Sequence, residues 1–182
     1  MRLGNARPRT TSDDDHPGFV PDYAEPLLAW RLWEIEEVGG RCRLRSLYRH
    51  CVWPTGAPLA AECKAARLRL WWRPRHVAPV SSCTCGIYAV RPSFISRLAL
   101  DGGELPTRSL VLGTVSMWGE VVECERGWRA SYAYPERLFV PEIDPGAPAT
   151  AEELGDYGVP VELLEATTVT AALREVGGLR AA

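Results

Sequence analysis

Four residues of the types that bind transition metals lie close together in the sequence: Cys63, His76, Cys83 and Cys85. Their spacing is C-x12-H-x6-C-x-C. Zinc prefers tetrahedral sets of thiolate and imidazole ligands, and three cysteines with one histidine form an ordinary structural set. Because four protein ligands leave no position for a water molecule, we expect a structural zinc ion rather than a catalytic one.

The residues around these ligands favour their convergence. Cys83 and Cys85 project to the same side of the chain if their segment is extended, and Gly86 permits a bend through a positive φ. A proline on each side of the histidine keeps the intervening chain in loops. We therefore predict that a metal clips the loop of residues 63–85 onto the strand that follows it, CGIYAV.

Two other interpretations of these cysteines remain open. Cysteines often serve as small buried hydrophobic residues, in which case the histidine is a surface residue. A thiol nucleophile needs a base and an orienting acid. The candidate nucleophile is Cys83 or Cys85, and the candidate base is His76. The candidate orienting acid is one of Glu120, Glu123 and Glu125. The neighbouring pair His50-Cys51 could also replace one member of the ligand set, whereas Cys42 and Cys124 are interpreted as filler within strands.

Sequence motifs of the common enzyme classes are missing. The chain has no G-x-S-x-G, P-loop, G-x-G-x-x-G or H-E-x-x-H motif, and it lacks the H-x-E…P-C-x-x-C signature of zinc deaminases. The favoured hypothesis is a zinc-stabilised binding or adaptor domain whose ligand is an unknown protein or small molecule. A thiol- or metal-dependent enzyme of an unfamiliar class is one alternative.

A second alternative rests on a basic stretch at residues 41–75, which holds nine basic residues and one acidic residue. Basic side chains follow a phosphate backbone and aromatic rings stack on bases, so this mixture is typical of surfaces for single-stranded nucleic acid. The opposite interpretation pairs these arginines with acidic residues elsewhere and places the tryptophans in the core. The candidate surface for nucleic acid or another ligand comprises Arg43, Arg45, Arg67, Arg69, Trp71, Trp72, Trp118, Trp128 and Tyr132.

Composition and charge indicate an ordinary globular protein. The 182 residues carry a net charge of −2, with 46% hydrophobic and 24% charged residues. The first hundred residues are net basic and the remainder net acidic, so the two halves can pair with each other or steer a partner. No apolar run approaches the roughly 18 residues that cross a bilayer, and no signal peptide is recognisable. We expect a cytoplasmic protein without membrane association, whose six cysteines are reduced thiols.

Alternating apolar and polar residues predict a mostly β fold of the β-rich α+β class. Two alternating runs flank Gly39-Gly40, which is typical of a β-hairpin. A second hairpin is predicted from SLVLGTVSMWGEVVEC and WRASYAYP, with its second strand ended by Pro135. Gly113 and Gly119 predict bulges or close backbone approaches. We expect a small barrel or curved antiparallel sheet of about six to eight strands, with one to three short helices.

Residues outside these strands complete the predicted organisation. Residues 1–24 are rich in Pro, Asp and Thr and predict a flexible N-terminal tail, which leaves 25–182 as a single β-rich domain. ATAEELGDYG predicts a short helix with Thr150 at its N-cap and Glu153 at position N3.

Three motifs resemble those of an uncharacterised family of small proteins from high-GC bacteria: CxCGIYA, WGxVxE and GWRAxxAYP. The similarity extends over about residues 28–161. No activity is attached to that family, so the resemblance implies one coherent domain and no particular chemistry.

Overall fold

The structure, a computed structural model, describes residues 25–47, 51–63, 76–95, 110–143, 145–166 and 171–174. The predicted N-terminal tail and residues 64–75 of the predicted metal-clipped loop lie outside the described residues. The described strands are β1 (Leu27–Val38), β2 (Arg41–Ser46), β3 (Leu59–Ala60), β4 (Ile87–Val90), β5 (Leu110–Cys124), β6 (Gly127–Pro141) and β7 (Val161–Leu164). A helix spans Ala147–Leu154 and continues into a 3-10 turn at Gly155–Tyr157, and residues 92–95 and 171–174 are also helical.

Both predicted hairpins are confirmed. β1 and β2 pair antiparallel through a turn in which Gly39 and Gly40 have φ angles of 61° and 74°. A residue with a side chain is disfavoured at such angles, so the glycine pair fixes this turn. The long strands β5 and β6 pair over most of their length and form the second hairpin.

The strands form one strongly curved sheet. β1 pairs with β5, β5 with β6, β6 with β4, and β4 returns to β1 through the single residue pair Trp30–Val90. Because only this one residue pair joins β4 to β1, the fold is the predicted curved sheet rather than a regular barrel. It departs from the antiparallel prediction at one edge, where β7 runs parallel to β6. A parallel neighbour requires a long crossover, which the segment 142–160 and its helix provide.

Two irregularities bend the β5–β6 hairpin. The pairing register shifts between Trp118 and Val121, where Gly119 has a φ of 75°, as the predicted bulge requires. A second shift lies beside Pro135, where Glu136 of β6 has no paired residue on β5. The prediction that Pro135 ends the strand is wrong, because a proline is tolerated at a bulge, where its missing N–H breaks no ladder bond. β6 consequently continues to Pro141.

The start of the Ala147–Leu154 helix also differs from the prediction. Its N-cap is Gly146, with a proline in the first turn and no side-chain cap. Proline is favoured at the first helical position because its fixed φ suits the helix and its missing N–H costs no hydrogen bond there. The helix therefore begins before Thr150, which lies inside it instead of capping it.

Hydrophobic packing among the described residues is divided into three clusters. The largest surrounds the fully buried Trp33 and Trp53, whose rings meet edge to face with centroids 5.4 Å apart. A second cluster contains Trp30 and Phe139, stacked at 5.9 Å. The third is small and contains the buried residues Cys63, Ala78 and Cys85. The cysteines of the predicted metal site therefore lie apart from the two main cores.

Tyr157 ties the C-terminal segment to the hairpin. Its hydroxyl donates to the carbonyl of Trp53 at 2.9 Å and accepts from the N–H of Leu44 at 3.0 Å, and the residue is 3% exposed. Tyr157→Phe should lower the free energy of unfolding by roughly 1–3 kcal/mol, because two buried backbone groups lose their partner. Urea denaturation measures this loss, with the exposed Tyr132→Phe as control. Equal stability of the two variants would contradict the expectation.

Candidate metal centre

The structure brings the four predicted ligands together. The ligand atoms of Cys63, His76, Cys83 and Cys85 all lie within 4.8 Å of one another. The sulfurs of Cys63 and Cys83 are 3.8 Å apart, and Nε2 of His76 lies 3.2 Å from the sulfur of Cys85. Zinc–sulfur bonds of about 2.3 Å in a tetrahedron place two sulfurs about 3.8 Å apart. The group can hold a metal ion.

The same distances argue against a disulfide. All six cysteines are free thiols in the structure. A disulfide requires its sulfurs to be about 2 Å apart, well below the 3.8 Å between Cys63 and Cys83. The sulfurs are therefore spaced like ligands that share an ion.

Each ligand lies in a loop that is anchored to the sheet. Cys63 follows the short strand β3, and the preceding Ala61 donates its N–H to the carbonyl of Ser131 on β6 at 2.7 Å. Cys85 lies two residues before β4. Gly86, which lies between Cys85 and the first residue of β4, has the predicted positive φ, at 117°. A Cβ there would lie 3.0 Å from the Cβ atoms of Arg129 and Pro79, so the loop needs a glycine at this point for both reasons.

The cysteine pair converges through a turn rather than an extended segment. The N–H of Cys83 donates to the carbonyl of Val80 at 3.1 Å, and the strand begins only at Ile87. The segment is therefore bent rather than extended. The turn brings both sulfurs into the group.

Two residues of β6 that the sequence analysis did not assign to the site hold this turn in place. Arg129 is 5% exposed and donates to the carbonyls of Cys83 and Cys85, the latter at 2.7 Å. Ser131 donates through its hydroxyl to the carbonyl of Ala78 at 2.9 Å. Alternation on β6 places both side chains on the loop side of the strand, but no sequence pattern indicates that this face is covered.

The environments of the two paired cysteines differ. Cys83 is half-buried, and hydrogen bonding from the backbone of Cys85 and from the neighbouring ligand side chains lowers its pKa to about 7 against the opposing effect of desolvation. Cys85 is 2% exposed, and burial raises its pKa, with the neighbouring sulfurs adding to the rise. An ion bound between these sulfurs would favour the thiolate form of both.

Other sequence-based assignments are not brought to this group. Cys51 contacts the hydroxyl of Ser46 with its sulfur at 3.2 Å, and its neighbour His50 lies outside the described residues. Glu123, a candidate orienting acid, pairs with Arg91 at 2.5 Å instead of the histidine.

The candidate ligand surface is divided by the fold. Arg43 pairs with Asp156 at 3.1 Å, and Arg45 pairs with Glu34 and Glu36. These contacts match the interpretation in which the arginines meet acidic partners. Elsewhere in the set, the rings of Trp118 and Tyr132 stack at 6.1 Å, and Trp128 packs under the guanidinium of Arg91 at 4.5 Å. The remaining members, Arg67, Arg69, Trp71 and Trp72, lie outside the described residues.

Within the described ranges, no helix combines the length and the apolar character needed to cross a membrane. The candidate centre combines three soft sulfur donors with one imidazole, which are donor types that transition metals such as zinc prefer. Comparisons with protein-family models, with curated proteins and with solved structures gave no match.

Proposed function

We propose that Cys63, His76, Cys83 and Cys85 bind one Zn²⁺ ion as a structural centre, and that the protein is a metal-stabilised binding or adaptor domain. The observation that carries this proposal is the convergence of four ligand atoms within 4.8 Å of one another, from residues spread over 63–85. Three sulfurs and one imidazole nitrogen in this arrangement match the donors and the geometry that zinc prefers.

A structural role follows from the closed ligand set. With four protein ligands, the ion has no open position for a substrate or an activated water molecule. The small cluster of Cys63, Ala78 and Cys85 buries little apolar surface compared with the two main cores. Coordination would therefore supply the attachment of the loop to the sheet that hydrophobic packing supplies elsewhere.

Two exposed hydrophobic side chains lie close in sequence to the candidate ligands. Val77 is 79% exposed and Tyr88 is 43% exposed, and both lie within a few residues of a ligand. A centre that fixes this loop also fixes the segments that carry these two side chains. We propose that both contribute to the surface that the domain presents to its ligand.

Metal content tests the proposal directly. The purified protein should contain close to one zinc ion per chain, and Cys85→Ser should lose most of it, because serine keeps the size of the side chain but removes a soft ligand. Cys51→Ser is the matched control and should keep the metal, since Cys51 lies outside the group. Absence of metal from the wild-type protein, or an unchanged content in Cys85→Ser, would refute the proposal.

A further inference from the structure

Arg129 is a buried cation without a carboxylate partner among the described residues. Its residue exposure is 5%, and none of the ion pairs formed within the described ranges includes it. A buried charge is costly unless an opposite charge or a full set of hydrogen bonds compensates it. Some other feature of the structure must therefore offset the charge on this guanidinium.

The contacts of Arg129 all point to the cysteine loop and its neighbours. Nη1 donates to the carbonyls of Cys83, Cys85 at 2.7 Å and Val80 at 3.5 Å. Nε donates to the sulfur of Cys124 at 3.3 Å. On another side, the ring of Tyr88 lies 5.7 Å from the guanidinium carbon. Two of the three carbonyls belong to residues that we propose as ligands, so the cation borders the centre itself.

We infer that Arg129 is the counter-ion and positioning residue of the metal centre, an inference that rests on the proposed function. A Zn²⁺ ion bound by three thiolates and a neutral imidazole has a net charge of −1, which complements the guanidinium. The carbonyl contacts at the same time fix the turn that presents Cys83 and Cys85. Removal of a residue that orients metal ligands through hydrogen bonds commonly weakens metal binding by 10–100-fold.

This role predicts that the side chain and the metal depend on each other. With metal bound, the guanidinium lies beside a negative centre and is compensated. Without metal, that negative centre is absent, and the guanidinium keeps its contacts with the loop carbonyls, the sulfur of Cys124 and the ring of Tyr88. Arg129 should therefore stabilise the metal-bound protein more than it stabilises the metal-free protein.

Zinc titrations against a competing chromophoric chelator test this inference. Arg129→Gln keeps a hydrogen-bond donor but removes the charge, and it should bind zinc 10–100-fold more weakly than wild type. Arg129→Lys keeps the charge and should lose less affinity than the glutamine variant. Arg137→Gln is the matched control on the same strand, since Arg137 is 43% exposed in its pair with Glu162, and its affinity should be unchanged.

Melting temperatures with and without zinc separate this role from a purely structural one. Arg129→Gln should lower the melting temperature of the zinc-bound protein by more than it lowers that of the metal-free protein. An equal drop in both states would identify a structural clamp alone and overturn the inference, as would wild-type zinc affinity in Arg129→Gln. A lysine variant that binds zinc no better than the glutamine variant would also overturn it. A wild-type protein that binds no zinc would refute the proposed function together with this inference.

Discussion

Removal of zinc should lower the melting temperature of the protein by about 10 °C or more. A ligand present at a thousandfold excess over its dissociation constant stabilises the folded state by about 4 kcal/mol, and structural zinc sites bind more tightly than this requires. For a chain of this size, each kcal/mol corresponds to roughly 2–4 °C. Circular dichroism during heating, before and after exhaustive chelation, measures the change, and restored zinc should reverse it.

The loss of structure should be confined to one part of the molecule. Trp33 and Trp53 lie in a core cluster separate from the cysteine cluster, so the pairing of β1 with β5 should survive chelation. Hydrogen exchange should accelerate in residues 76–88 and remain slow in β1 and β5. Cys85→Ser should resemble the chelated protein and show no further response to the chelator. An unchanged melting temperature and exchange pattern after chelation would count decisively against a structural metal.

Gly127→Ala should be among the most damaging single substitutions in the sheet. A Cβ at this position would lie 2.0 Å from the carbonyl oxygen of Ala89 and 2.6 Å from the Cα of Val90. These are backbone atoms of β4, which pairs with β6 along this stretch, so relief requires the two strands to separate. Because backbone cannot move aside as a side chain does, we expect a loss of about 3 kcal/mol in the free energy of unfolding.

The control for this substitution is Gly155→Ala. Gly155 has helical backbone angles, with φ at −56°, and nothing lies within 4 Å of a Cβ built there. Alanine should be neutral or slightly stabilising at such a position, since it restricts the unfolded chain without strain. Chemical denaturation of both variants measures the difference. A Gly127→Ala protein as stable as Gly155→Ala would show that β4 moves away from β6 without cost.

Separation of β4 from β6 should also weaken the metal centre. β4 begins two residues after Cys85, and Arg129, which holds the cysteine turn, pairs with Tyr88 of β4. Zinc affinity of Gly127→Ala should therefore fall together with its stability, whereas Gly155→Ala should bind zinc as wild type does. The paired measurement connects the strand register to the ligand geometry.

Residue type and spacing were sufficient for the parts of the fold that local chemistry controls. The Gly39-Gly40 turn and the bulge at Gly119 follow from backbone angles that residues with a Cβ avoid. Alternation along β1, β2, β5 and β6 follows from the two-residue period of a strand with one buried face. The four candidate ligands were likewise predictable as a group, because few residue types offer soft donors and all four were close in sequence.

Features that depend on distant neighbours were not predictable in this way. Proline at position 135 favours the end of a strand, but a bulge beside it, at Glu136, lets β6 continue. The parallel placement of β7 depends on where the helical crossover returns to the sheet. Local sequence does not identify such distant partners. The proline rule therefore gave the wrong end for β6, and the antiparallel prediction was wrong for β7.

The sequence by itself determined the donor set of the candidate centre, its β-rich setting and the glycine that lets the cysteine loop bend. Only the tertiary structure decided that Arg129 and Ser131 face the loop carbonyls and that Arg43 and Arg45 meet carboxylates. The physical reason is one of range. Ligand chemistry and backbone strain are properties of single residues and their sequence neighbours. The partners of a buried charge lie on segments that are distant in sequence and come together only in the folded sheet.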